Sequence, residues 1–413
     1  MKKLIGSKAT HSDAKKLTLY QGRKARRLEF YVSSVEPQSK KMRESERIKF
    51  QDTLLQAMAR RGWRPFNGDI ALDLRLATTR HNAPQAHTIA KNLLDLFGPA
   101  HPSLGGPARK VLYRDDGQIH ALAVSCRHGE DEPMIAVDVR SMNAFRDDLG
   151  LAGMALRRAP DYDDRFEDMQ RFRKFIADEA SLRAAMGDAK YEAMHQFYRW
   201  NAQNAVLSYA SVTMGSLAWL FDVPRLPIAN PFPAQWDAMF RSAPLRIELG
   251  ELPMKSGEST LFKQRVQTAV AAFKQKWDWL ISPLVVPVAL QLVVRPSPGM
   301  PKGVLHDLDN IVRDYLIPHF VPTFDTVSDV RWVFEKMHAD DPAAAAKWGP
   351  DRMPPKGTRA GVTRYEAWRL PAAKRGRKGF VSAAIVLDDF DGSLFEQIDR
   401  EIDKWAEKNE PRD

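Results

Sequence analysis

Apolar and polar positions alternate in a way that divides the chain into two stretches running through the same elements in the same order. In the first, Arg27–Val32 reads as a strand. A loop with Pro37 then leads to a helix over Arg47–Arg60, where Ile48, Leu54, Leu55 and Met58 recur at helical spacing. Past the breaker Pro65-Phe66-Asn67-Gly68, Ile70, Leu72, Leu74 and Leu76 alternate as a strand over Asp69–Leu76. A helix over Ala86–Phe97 carries Ile89, Leu93, Leu94 and Leu96 on one face, and strands are predicted over Gln118–Ser125 and Pro133–Val139.

The second stretch begins roughly two hundred residues later. A strand over Leu245–Leu249 is followed by a helix over Thr260–Lys276 and a strand over Val288–Val294. A short helix over Asn310–Ile317 is ended by Pro318, and strands are expected over Val330–Phe334 and Gly379–Leu387. The two long helices each have Phe near the start and Trp at the end, Trp63 and Trp277. A shared order of four or five elements points to internal duplication. The organisation that follows is a basic N-terminal arm (1–26), a first unit (27–143), a helical insertion or linker (144–243), a second unit (244–390) and a C-terminal helix (391–413). Within the insertion, Asp161–Leu220 holds two to four helices, and Pro342–Lys378 reads as irregular. In the tail, Leu394, Ile398, Ile402 and Trp405 line one helical face. The fold class expected is α+β or α/β, with two small sheets each carrying helices.

Composition bounds this picture. The 413 residues are 44% hydrophobic and 28% charged, enough to bury sizeable cores. One cysteine, Cys126, excludes an intrachain disulfide and a cysteine zinc cluster, and suits a cytoplasmic setting. The N-terminal segment lacks the apolar run of a signal peptide. Ala205–Phe221 is too short and polar to span a bilayer, and Leu280–Val294 is interrupted by Pro283 and Pro287. The net charge of +10 is concentrated in Met1–Pro65, where 17 Lys and Arg stand against 6 Asp and Glu. Such a segment suits a phosphate backbone, with Lys40, Lys41 and Arg43 as candidate contacts; the alternative is a solvated basic terminus. The run Lys374-Arg375-Gly376-Arg377-Lys378 has the same two readings.

The candidate chemistry lies in His306-Asp307-Leu308-Asp309-Asn310. Two carboxylates at i and i+2 point the same way from extended backbone, and Mg²⁺ (or Mn²⁺) takes oxygen ligands of this kind. Asp325 is the natural third carboxylate, with Asp329 as the alternative. Alternatively, Asp309 or Asn310 caps the helix and binds nothing. There is no glycine-rich nucleotide loop, no His-Glu-x-x-His helix and no nucleophile elbow. The scattered histidines and the ten tryptophans read as core or surface residues.

Order, spacing and residue types resemble the RusA-like Holliday-junction resolvases, nucleases that act as homodimers on branched DNA. Their signature is a strand, Asp-x-Asp-Asn opening a helix with a basic residue one turn in, and an Asp-Asp pair before the next strand. Asp307-Leu308-Asp309-Asn310 matches the first part, and Arg313 stands where the family has lysine. In the first unit, Gln85, His87 and Thr88 replace the acidic motif, whereas Lys91 occupies the basic position and Asp115-Asp116 matches the acidic pair. The resemblance covers roughly 27–139 and 245–387 and implies a fused pseudo-dimer, which as a monomer would need no second copy. It also implies an Mg²⁺-dependent endodeoxyribonuclease of DNA recombination and repair. Asp307, Asp309 and Asp325 would hold the metal, Asn310 would orient a carboxylate, and Arg313 would face the phosphate. Since each family site lies within one subunit, a composite of Asp115 and Asp116 with Asp307 and Asp309 is disfavoured. The rival readings are a nucleic-acid binder without catalysis and an interaction protein that docks through its helical insertion.

Overall fold

Leu28, Phe30 and Val32 of strand β1 (Leu28–Ser33) point inward while Glu29, Tyr31 and Ser33 face solvent, the pattern of a sheet edge covered on one face. The structure is a computed structural model, and it describes residues 11–33, 35–38, 42–80, 86–106, 108–156, 165–212, 214–223, 240–253, 258–286, 288–300, 307–320, 364–388 and 394–409. Deeper in the sheet, β2 (Ile70–Thr78), β6 (Val288–Arg295) and β7 (Arg364–Arg369) are buried almost throughout, as strands covered on both faces must be. With β3 (Ile119–His128), β4 (Met134–Ser141), β5 (Arg246–Gly250) and β8 (Phe380–Leu387), the described strands form one mixed sheet in the order β1-β4-β2-β3-β7-β6-β8-β5.

Read from its two edges, this order is the same sequence of strands twice. In the first half β1 pairs antiparallel with β4, β4 antiparallel with β2, and β2 parallel with β3. In the second half β5, β8, β6 and β7 repeat those three senses. The halves join through antiparallel β3 and β7, from Ala121 opposite Trp368 to Ser125 opposite Arg364. The small sheets expected of two units are thus one continuous sheet.

Helices cover both faces. On one lie α2 (Glu44–Arg60), α3 (Ala86–Phe97) and α9 (Ser259–Ile281), and from the insertion α5 (Arg165–Ala177) and α7 (Asp188–Ala210). The same face takes α10, which consists of Leu308–Asn310, a π turn at Ile311–Leu316 and Ile317–Phe320. Leu72 and Leu74 of β2 and Leu290 and Leu292 of β6 share one core with Ile89, Leu93, Ile311 and Leu316. A parallel strand pair needs a crossover, and α3 lies in the crossover from β2 to β3 as α10 lies in that from β6 to β7. This is why α3 and α10 meet over the β3–β7 joint.

The other face carries α1 (His11–Lys24), α4 (Met142–Leu156), α8 (Met214–Leu220) and α11 (Leu394–Asn409). There Ala71, Ala121 and Ala123 leave room for Phe145, Trp368 and Phe395. Phe395, Ile398 and Ile402 fix α11 in place, each contributing about 1.5–3 kcal/mol by burial. Between α5 and α7, the short insertion helix α6 (Glu179–Met186) packs on α7.

The structure changes three further expectations and leaves one untested. The N-terminal segment from His11 is helix rather than a free arm, and part of its charge is neutralised within the chain. Arg23 meets Asp148, Lys24 meets Asp403, and Arg27 meets Asp148 and Asp399, while Arg140 bonds to Asp138 and Asp399. A local charge count cannot register partners so distant in sequence. The stretch 342–378, read as irregular, contains the central strand β7. Its polar residues hide it, for Glu366 accepts from Gln291 (2.8 Å) and Arg364 pairs with Asp388 (3.2 Å) inside the sheet. The strand expected over Val330–Phe334 lies outside the described residues. Finally, α10 runs through Pro318, because the π turn before it re-registers the hydrogen bonds where the proline lacks a donor. Among the described residues no helix is long and apolar enough to cross a membrane.

Candidate metal centre at the joint between the halves

Because β3 and β7 are antiparallel, the residues entering β3 lie beside the residues leaving β7. The turn Asp116–Gln118 that opens β3 is held by Asp115, whose Oδ1 accepts from the Gly117 amide at 2.7 Å. Gln118 completes the turn by accepting from the Asp115 amide (3.2 Å) and donating to the carbonyls of Phe66 and Gly68. Opposite stands the N-terminus of α10. Asp307 occupies its cap position in extended backbone but makes no side-chain cap hydrogen bond, so its carboxylate stays available. Asn310 Nδ2 donates to Asp307 Oδ2 at 3.1 Å and so orients that carboxylate.

Carboxylate oxygens of Asp115, Asp116 and Asp307 lie within 4.8 Å of one another, close enough to share a cation. These three come from different halves of the chain, so the acidic pair of the first unit meets the Asp-x-Asp of the second. The composite arrangement that the family resemblance disfavours is the one the fold builds. Asp309 is only 3% exposed, and its Oδ2 lies 3.3 Å from the Lys91 ammonium. Lys91, on α3, also reaches Asp116 (3.3 Å) and Asp95 (3.2 Å). Arg369 at the end of β7 is 2% exposed and donates to the Gly117 carbonyl at 2.9 Å.

Four carboxylates against two cations leave an excess of negative charge. Burial, reinforced by Asp116 and Asp309, pushes the Asp307 carboxyl up to about 6, while Arg369 and Lys91 oppose the rise. Burial also raises Asp309, against the pull of Lys91. For Lys91, burial opposes the charge but Asp309, Asp95 and Asp116 outweigh it, so the ammonium is held charged. A bound cation would relieve the repulsion that raises Asp307, and the all-oxygen donor set fits Mg²⁺ or Mn²⁺.

The remaining expected site residues are placed elsewhere. Arg313 pairs with Asp314 through two bonds, at 2.6 and 2.7 Å. It also lies near His87, whose imidazole is pushed down to about 4 by burial and then by Arg313. Asp309 beside Lys91 and His87 beside Arg313 are therefore corresponding positions of the two halves, and only the first is acidic. Asp325, Asp329, Gln85, Lys40 and Lys41 lie outside the described residues. Arg43 is exposed at the start of α2. Lys374, Arg375 and Arg377 are exposed in the turn that leaves β7 a few residues after Arg369, at the same end of the sheet as the carboxylates.

Sequence reading missed Arg369, because β7 itself was hidden in a polar stretch. The alternation that places Tyr365 and Ala367 on the α3–α10 face also places Arg369 there, and that was the available signal. Comparison with protein-family models, with curated proteins and with solved structures returns no match.

Proposed function

We propose that the chain is a duplicated, RusA-like nuclease that uses Mg²⁺ or Mn²⁺ to cut branched DNA at one composite site. The single observation that carries this reading is the convergence of Asp115, Asp116 and Asp307 from opposite halves of the chain. The repeated strand order supports a fused pseudo-dimer, in which one polypeptide supplies what two subunits supply in the family.

In this reading Asp115, Asp116 and Asp307 hold the cation, and Asn310 fixes the Asp307 carboxylate. A divalent ion so placed supplies Lewis-acid stabilisation of the phosphate and lowers the pKa of attacking water. Lys91 holds Asp309 and Asp116 in place and adds positive charge beside the phosphate. Lys374, Arg375 and Arg377 contact the DNA backbone from the neighbouring turn, and Arg43 does so from α2. Arg313, tied to Asp314 and close to His87, stands apart from the metal-holding carboxylates.

One site per chain leads to one nick per junction. The test is incubation of the purified protein with four-way junctions and Mg²⁺, with each strand labelled in turn. Symmetric paired incision, or cutting that survives Asp307→Asn combined with Asp116→Asn, overturns the single-site reading. A second reading, a junction binder without catalysis, is favoured by the Lys91 ammonium, which sits between Asp116 and Asp309 where a second cation would go. It predicts steeply salt-dependent binding with no cutting in either metal.

A further inference from the structure

Arg369 is a buried cation that reaches from the second half into the turn of the first half that carries Asp115 and Asp116. Its backbone is set by the parallel pairing of β7 with β6, opposite Val294, and the next amide, Leu370, bonds to the Val294 carbonyl (2.8 Å). Trp368, one residue earlier, pairs with Ala121 of β3. From this fixed base the guanidinium donates to the Gly117 carbonyl at 2.9 Å, and its charge faces Asp307, Asp69, Asp116 and Asp309. The turn it reaches is tightly fitted. A Cβ on Gly117 would stand 2.7 Å from Asp115 Oδ1 and 3.4 Å from Asp307 Oδ1, so the glycine is what lets the two acidic segments close on each other.

We infer that Arg369 is a positioning residue that fastens the Asp115–Gly117 turn of the first half beside Asp307 of the second, and so sets the geometry in which the carboxylates share a cation. This rests on the metal-centre reading above. It makes site assembly depend on the β3–β7 joint, since the residue that anchors the turn belongs to the strand that forms the joint.

The direction of the effect separates this role from a purely electrostatic one. If Arg369 acts only as a positive charge beside the carboxylates, removing it strengthens cation binding, because repulsion of the cation is lost. If it positions the turn, removing it weakens binding by about 10- to 100-fold, the scale on which supporting partners of metal ligands act. Arg369→Met, Arg369→Lys and Gly117→Ala would be compared with the unaltered full-length chain by Mn²⁺ titration followed by electron paramagnetic resonance. Weakened binding in Arg369→Met and Gly117→Ala, with part of the loss restored in Arg369→Lys, is the expected result. Binding equal to or tighter than that of the unaltered chain in Arg369→Met overturns the inference.

Amide hydrogen exchange in metal-free protein supplies a readout that needs no cation. Arg369→Met should speed exchange at Gly117 and Gln118 by about tenfold or more, the loss expected from a hydrogen bond to a charged group, while the amides of β2 and β6 stay protected. Unchanged exchange in the turn, or faster exchange throughout the sheet, also overturns it. If the unaltered chain takes no Mn²⁺ yet the turn loosens as expected, the metal-centre reading fails and the positioning role stands.

Discussion

The two poles of the α3–α10 contact occupy matching positions in the repeated strand order and differ in charge. At one, Asp309 meets Lys91 beside three further carboxylates. At the other, a neutral His87 lies near Arg313, which is already bonded to Asp314. Both lie on one sheet of one chain, under the same repeated order of strands. The difference teaches that the acidic pole alone holds a surplus of negative charge for a cation to neutralise. It also shows why neither half is sufficient. Asp115 and Asp116 belong to the first half and Asp307 to the second, so the pole that keeps its carboxylates is owned by neither.

The largest effect that could break this comparison is on cutting. Asp307→Asn with Asp116→Asn should lower Mg²⁺-dependent nicking of four-way junctions by roughly 10²–10³-fold, equivalent to about 3–4 kcal/mol of lost charge stabilisation. Arg313→Ala at the other pole should change it by no more than about threefold, the scale of an exposed ion pair. Equal losses at both poles would show that the second pole also takes part in the reaction.

Stability sharpens the comparison next. The first half is anchored to both chain ends by buried pairs, and Asp148, with no exposed side chain, meets Arg23 and Arg27 there. Asp148→Asn should cost about 3 kcal/mol in urea unfolding, because it leaves buried guanidinium charge short of a partner. Asp314→Asn, which breaks a partly exposed pair, should cost under about 1 kcal/mol. A cost at Asp314 as large as that at Asp148 would mean that the surface pair matters as much as the buried one.

The two poles should also respond to pH in opposite directions. The Asp307 carboxyl is raised from 3.8 to about 6, so its stabilising contribution is full below 3.8 and is lost as pH rises through about 6. The same titration makes divalent-ion affinity climb through that window, since proton and cation compete for one carboxylate. The His87 imidazole is lowered from 6.5 to about 4, so its contribution is full above 6.5 and is lost as pH falls through about 4. Melting curves of Asp307→Asn and His87→Gln in metal-free buffer should each remove one of these slopes, and a shared direction would contradict the assignment. The smallest expected change is from His87→Asp, which gives Arg313 a second acidic neighbour beside Asp314, this one from the other half as Asp309 is for Lys91. A gain of under about 1 kcal/mol is expected, and a clear loss of stability would show that the poles are not equivalent.

Most strands and helices were legible in the sequence, because burial imposes a period of two or of 3.6 on apolar residues wherever partners are apolar. Ala86–Phe97 matched α3 at both ends, and Val288–Val294 fell one residue short of β6. Strand β7 was not legible, because Arg364 is buried against Asp388, just past the end of β8, and Glu366 against Gln291 of the neighbouring β6. The helical N-terminus escaped for a related reason, its cations being matched by Asp148, Asp399 and Asp403 far along the chain.

The candidate site divides in the same way. Its residue types, Lys91, Asp115, Asp116, Asp307, Asp309 and Asn310, were all identifiable from spacing and from resemblance to a nuclease family. Their grouping was not, because spacing along the chain reports only on residues within one element or its neighbours. The sequence by itself determined the repeated elements and the carboxylates they carry. The tertiary structure decided that these carboxylates meet across the halves, because antiparallel β3 and β7 set the entry of one beside the exit of the other. Only that pairing brings Arg369, Gly117 and Asp307 to the same few ångströms.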